Sequence, residues 1–103
     1  MKLFQKFRRR ELTPVEQLAE YESEIARNQS IIENLTQSIK NYQSLYEIYK
    51  TDVKSGGFSN TSLNRTIREL EDCYEDINIA KADLKYYEVL RDHLKKELDS
   101  QNS

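Results

Sequence analysis

The chain has 103 residues, of which 33% are charged and 37% hydrophobic, with two glycines, one proline and no tryptophan. So few glycines and prolines argue against a sheet protein, and so many charged residues leave little material for a large globular core. The hydrophobic content argues against a wholly disordered chain. Composition therefore favours a single all-α domain.

The first twelve residues form a basic, partly aromatic N-terminal arm. Residues 1–10 contain five basic side chains and no acid, so the net charge of −2 leaves −7 for the remainder. This composition is typical of a membrane-interface anchor, a protein-docking segment or a phosphate-contacting tail, and an unstructured solubilising terminus is the plainer alternative. Nucleic acid is the least favoured partner, because an acidic rod behind the arm repels a polyanion. The candidate contact residues for an anionic membrane surface or a polyanion are Lys2, Phe4, Lys6, Phe7, Arg8, Arg9 and Arg10.

The first helix is predicted to begin at Pro14 and to run to about residue 54. Thr13 and Glu16 have the spacing of a capping box, Pro14 suits the first helical position, and no glycine or proline follows until Gly56. Its apolar residues recur at alternating intervals of three and four, which is the pattern of a coiled-coil seam with one polar insertion. The predicted seam positions are Leu18, Tyr21, Ile25, Asn28, Ile32, Leu35, Ile39, Tyr42, Tyr46, Tyr49 and Val53.

A glycine-containing turn over residues 55–60 is predicted to lead into a second helix over about residues 61–98, followed by a polar tail at residues 100–103. Phe58 is expected to fold back on nearby tyrosines. The interval from Ile67 to Leu70 to Cys73 is three plus three, which predicts a local stammer in the heptad pattern. The predicted seam is Leu63, Ile67, Leu70, Cys73, Ile77, Ala80, Leu84, Tyr87, Arg91, Leu94 and Leu98.

The two seams match in length when the chain is folded at the glycines. Leu18 then faces Leu98, and Ile39 faces Ile77. The predicted fold is therefore a long antiparallel two-helix hairpin, resembling a coiled coil and completed into a helical bundle by self-association or by a partner. Two polar layers, at Asn28 and Arg91, are expected either to fix the register or to open toward a partner.

Apolar residues outside the seam predict a docking surface. On the first helix these are Ile31, Leu45 and Ile48. Because solitary proteins seldom leave contiguous apolar patches uncovered, the stripe on the second helix predicts a protein partner or a homo-oligomer, either a dimer or a four-helix bundle. The candidate partner-binding residues are Ile79, Ala82, Tyr86, Val89 and Leu90.

Residues with catalytic or metal-binding chemistry are few. His93 is the only histidine, and Cys73 has no histidine one turn away to act as its base. We expect neither an enzyme nor a metal or cofactor site. A run of acids around Glu71 and Asp76 reads as a solvated face, with a cation or a basic partner as the alternative.

A helical hairpin of this length with glycine at its turn resembles the WXG100-like proteins of type VII secretion in size and outline. The turn reads SGGFSN without a Trp-x-Gly motif, and the residues four positions after Tyr42 and Tyr74 are Tyr46 and Asn78, where that pathway's signal has an acid. The primary hypothesis is a non-enzymatic interaction module, meaning an adaptor, accessory or chaperone-like protein. A membrane-peripheral scaffold, a secretion-associated partner protein and a DNA-associated protein are the alternatives.

Location follows from the absence of long apolar runs. No segment approaches the length needed to span a bilayer, and no signal-peptide core is present. We expect a cytoplasmic protein, with attachment to a membrane periphery and export by a signal-less pathway as alternatives.

Overall fold

Two long helices lie antiparallel and form a hairpin. The structure is a computed structural model, which describes residues 12–54, 56 and 60–101. The first helix, α1, comprises Pro14–Lys54, and the second, α2, comprises Asn60–Gln101. The predicted all-α hairpin is confirmed, and its completion into a bundle stays a prediction.

The start of α1 is fixed by the predicted capping box. The backbone N–H of Glu16 donates to Thr13 Oγ1 at 3.1 Å, and the N–H of Thr13 donates to Glu16 Oε1 at 3.0 Å. These reciprocal bonds satisfy amides that have no partner within the helix. The helix accordingly begins at Pro14.

The turn depends on a left-handed glycine. Gly56 has a φ of +81°, and its N–H donates to the carbonyl of Val53 at 3.1 Å. A glycine just beyond the end of a helix adopts this conformation without a clash at Cβ. The expected packing of Phe58 lies outside the described residues.

The seam lies where the heptad pattern places it. All predicted seam positions of both helices are buried or half-buried. A central cluster is formed by Ile39, Cys73 and Ile77, against which Leu35 and Tyr42 pack. The hairpin is thus held together by one apolar layer that runs along its length.

The predicted stammer is wrong. Thr66 is only 5% exposed, whereas Ile67 is half-buried. With Thr66 in the seam, the intervals from Leu63 to Leu70 become three and four, and the heptad pattern continues without interruption. Residue type alone favours Ile67 at this seam position, because isoleucine is apolar and threonine is polar, although the heptad interval favours Thr66.

The buried polar side chains of the seam bond within their own helices. Asn28 Nδ2 donates to the carbonyl of Glu24 at 2.9 Å, and Thr66 Oγ1 donates to the carbonyl of Ser62 at 3.0 Å. Arg91 Nε donates to Asp92 Oδ1 at 3.0 Å. None of these bonds reaches across the seam. The expected role of the polar layers, either fixing the register or opening toward a partner, stays a prediction.

The end of α2 extends beyond its predicted bound near residue 98. Ser100 and Gln101, predicted to belong to a polar tail, are helical. Since neither glycine nor proline interrupts the sequence there, nothing stops the helix where its apolar seam ends.

Candidate functional site: a groove along one side of the hairpin

The hairpin has two long sides that differ in character. Leu18 of α1 and Leu63 of α2 occupy heptad position a, and the other letters follow in chain order. In an antiparallel pair, positions g and c of both helices flank the seam on one side, and e and b flank it on the other. We call the first the groove side and the second the back side. Ile31 and Ile79 belong to the groove side, and Gln43 and Tyr74 belong to the back side.

The groove side carries an open groove along the seam. Its middle stretch has a volume of about 470 Å³. Two separate depressions lie on the same side, one toward the open end beside Leu12 and Tyr86 and one toward the turn beside Leu45 and Arg65, and the name groove covers all three. The middle is lined by Arg27, Asn28, Ile31, Asn34, Leu35, Asp76, Ile79, Ala80 and Asp83.

Large apolar side chains are exposed along this side. Ile79 is 54% exposed, Tyr86 is 60% exposed and Ile48 is 52% exposed. Leu45 is also exposed, and Ile31 is half-buried between them. An exposed apolar series of this kind is typical of a docking surface.

The predicted partner-binding stripe lies on this side and on the adjoining outer edge of α2. Ile79 and Tyr86 border the groove, whereas Ala82 and Val89 lie on the outer edge, and all four are exposed. Leu90 is half-buried and lines the open end of the groove. The five residues thus lie along the groove side and the adjoining edge of α2, and their role in binding stays a prediction.

Carboxylates surround the apolar residues of the groove side. Its heptad positions carry eight acids and two arginines, a net of six negative charges. The arginines are Arg27, which pairs with Glu24 at 2.9 Å, and Arg65. The acids are Glu20, Glu24, Asp52, Glu69, Asp72, Asp76, Asp83 and Glu97.

The back side is nearly neutral and is joined by polar contacts between the helices. Its heptad positions carry seven acids and six lysines. Gln43 Nε2 donates to the Tyr74 hydroxyl at 2.8 Å, and Lys95 Nζ lies 3.9 Å from Glu22 Oε2. The negative charge of the described residues is therefore concentrated on the groove side.

Three tyrosines form a cluster near the open end of the groove. The rings of Tyr21 and Tyr87 are 6.2 Å apart across the seam, and Tyr86 packs edge-on against Tyr87 at 5.3 Å. Burial raises the pKa of the Tyr87 phenol, and the carboxylate of Glu24 raises it further. The cluster presents the exposed Tyr86 ring to the groove from a supported position.

Cys73 is buried in the seam, and His93 lies on the exposed surface of α2. The Cys73 thiol is buried, and burial raises its pKa above 9.0, aided by Glu69, Asp76 and Asp72. A thiol in this state is a poor nucleophile. His93 Nε2 lies 3.1 Å from Glu97 Oε1 on an exposed turn. Across residues 12–54 and 60–101, no group of three or more metal-binding side chains comes together.

Neither described helix contains a stretch of sufficient length and hydropathy to cross a bilayer. The arm residues proposed to contact a membrane or polyanion, from Lys2 to Arg10, lie outside the described residues.

Sequence reasoning missed the separation of charge between the two sides. It placed Ile31, Leu45 and Ile48 outside the seam, but it did not place them on the same side as Ile79 and Tyr86. The signal was available, because assigning heptad letters to both helices and reading positions g and c together yields the acidic, apolar side.

Comparisons with family models, with curated proteins and with solved structures found no match to this chain.

Proposed function

We propose that the hairpin is a non-enzymatic interaction module that binds another polypeptide through its groove side, as an adaptor, accessory or chaperone-like protein. The observation that carries the proposal is the row of exposed apolar side chains beside an open groove, with Ile79 in its middle stretch and Tyr86 toward its open end. A helix or extended segment with apolar anchors at helical spacing fits a surface of this shape.

The charge of the groove side narrows the kind of polypeptide that fits. Two copies facing each other through this side would bring like charges together, which disfavours a symmetric pair of acidic grooves. A partner with basic residues around an apolar stripe complements it. A cationic amphipathic segment is therefore the partner that this side favours over a second acidic groove.

The test is capture of a binding polypeptide from a lysate of the source cells by three versions of the full chain. Ile79→Glu with Tyr86→Glu adds two charges to the groove side, whereas Val15→Glu with Tyr74→Glu makes the same change on the back side. A specific partner is expected to bind the wild type and the back-side variant equally. The amount captured by the groove-side variant is expected to be lower by about tenfold or more. Equal capture by all three would refute the proposal.

Light scattering on the same three proteins tests whether the partner is a second copy of the chain. An oligomer that only the groove-side variant dissociates is the expected result if the hairpin binds itself there. Circular dichroism on each variant checks that the helices are retained, so that lost binding is not lost folding.

A further inference from the structure

We infer that, when no other polypeptide is bound, the open end of the groove is occupied by the N-terminal arm of the same chain, a basic segment that also carries apolar side chains. The inference rests on the proposed function for its docking surface and names the chemistry of an occupant. It starts from an apolar groove, and the charge, position and length of the arm select that occupant.

The charges of arm and groove are complementary. Residues 1–10 carry five basic side chains and no acid. The groove side carries a net of six negative charges, whereas the back side is close to neutral. The attraction acts over about 8–10 Å at moderate salt, so it favours the groove over the back side wherever the arm approaches the hairpin.

The apolar content also matches. The arm contributes Leu3, Phe4 and Phe7. Near the open end the groove offers the exposed ring of Tyr86 and the half-buried Leu90, beside Tyr21. Aromatic and aliphatic side chains with basic neighbours thus meet aromatic and aliphatic side chains with acidic neighbours, and both components favour the same contact.

The attachment point places the arm at the groove. Leu12, the last arm residue, itself lines the open end of the groove together with Tyr86 and Leu90. Glu20 and Glu24 lie about 9 and 15 Å beyond the start of α1. The eleven residues before Leu12 span about 16 Å as a helix and up to about 40 Å when extended. The arm therefore reaches these carboxylates in either form, at the high effective concentration of a short tether.

Photo-crosslinking in the full chain tests the inference. With p-benzoylphenylalanine in place of Phe4, we expect crosslinks to residues around Tyr86, Leu90 and Glu24, found by mass spectrometry. Mixing ¹⁵N-labelled and unlabelled chains distinguishes contacts within one chain from contacts between two. Products of a single isotope support the inference, whereas mixed products assign the arm to a second copy and overturn it.

Charge reversal supplies the matched control. Glu20→Lys with Asp83→Lys reverses two groove-side charges, and Glu33→Lys with Glu71→Lys reverses two on the back side at the same total charge. We expect the groove-side variant to lower the crosslink yield about tenfold and the back-side variant to leave it unchanged. Equal yields from the two variants, or crosslinks to back-side residues, would overturn the inference.

Phosphatidylserine vesicles provide a surface that competes with the groove for the arm. Groove crosslinks that persist when vesicles are added support the inference, and label found on lipid but never on the groove overturns it in favour of membrane attachment. The capture assay scores a separate polypeptide, so the two proposals fail separately. Lost capture by the groove-side glutamate variant without groove crosslinks refutes the arm inference alone.

Discussion

Buried polar residues of the seam are satisfied by the backbone of their own helix. Asn28 is 4% exposed and bonds to the carbonyl of Glu24, and Thr66 does the same one turn back at Ser62. A bond of this kind removes the free-energy penalty of an unsatisfied buried group. An apolar side chain at the same position would stabilise the hairpin more. Such residues are therefore tolerated in the seam without strengthening it.

Replacing Asn28 with leucine is expected to stabilise the hairpin. The change removes a buried amide whose hydrogen bond stays within one helix and adds apolar contact to the seam, which raises the free energy of unfolding by about 1–2 kcal/mol. Urea unfolding followed by circular dichroism measures the change. Gln29→Leu, at an exposed neighbouring position, is the control, with an expected effect within about 0.5 kcal/mol. A lower midpoint for Asn28→Leu would show that the amide makes a contact the leucine cannot replace.

The Cys73 thiol gives the stability of the hairpin a pH dependence on the alkaline side. Its pKa is raised in the folded chain, chiefly by burial and then by Glu69, so both states keep the proton below the ordinary value of 9.0. Above that value the unfolded chain releases the proton first, and stability falls as the pH rises through the raised pKa. Urea midpoints between pH 7 and 10 measure this fall, and Cys73→Val should show a smaller one. An unchanged slope in the valine variant would contradict the assignment.

At the scale of the elements, both ends of α1 have a specific cause. The start of α1 follows from side-chain capping by Thr13 and Glu16, and its end from the conformation of Gly56. The end of α2 has no such signal, and the helix continues past its seam. Capping and glycine signals were therefore sufficient to predict the bounds around α1, whereas the last turn of α2 was not predictable from periodicity.

Gly56→Ala is expected to destabilise the hairpin through backbone conformation alone. A Cβ at this position meets no atom within 4 Å, so the cost arises from the φ of +81°. An L-residue in the left-handed region costs about 1–2 kcal/mol, and asparagine costs less because it tolerates that region. Thermal unfolding should rank glycine above asparagine and asparagine above alanine. Alanine equal to glycine would mean that the turn adopts another conformation.

For the whole molecule, one repeating pattern was enough to predict the fold. The heptad seam gave the hairpin, its pairing and the burial of residues such as Ile25 and Leu94. It did not predict the burial of Thr66, because threonine is polar and its neighbour Ile67 is apolar. It also did not give the acidic side, because that property belongs to two helices together and becomes visible only after their register is known.

The contents of the groove were less predictable than its walls. Ile79 and Tyr86 were identified from spacing on one helix, and the structure adds the acids Glu24 and Asp83 beside them. What binds to such a surface depends on a second sequence, which the periodicity of this one does not encode. The proposed binding of the arm differs in this respect, because the sequence of the arm is part of the same chain.

The side chains of Asn28 and Thr66 bond only to the backbone of their own helix, and this has a mechanical consequence. Because neither group bonds across the seam, a relative shift of the two helices by seven residues would again oppose mostly apolar side chains. The short connection through Gly56 resists this shift, together with the Gln43–Tyr74 and Glu22–Lys95 contacts on the back side. A protease cut in that connection would free the halves to slip past one another or to trade places between molecules. The intact connection of a few peptide bonds thus helps to keep two helices of some forty residues each in register.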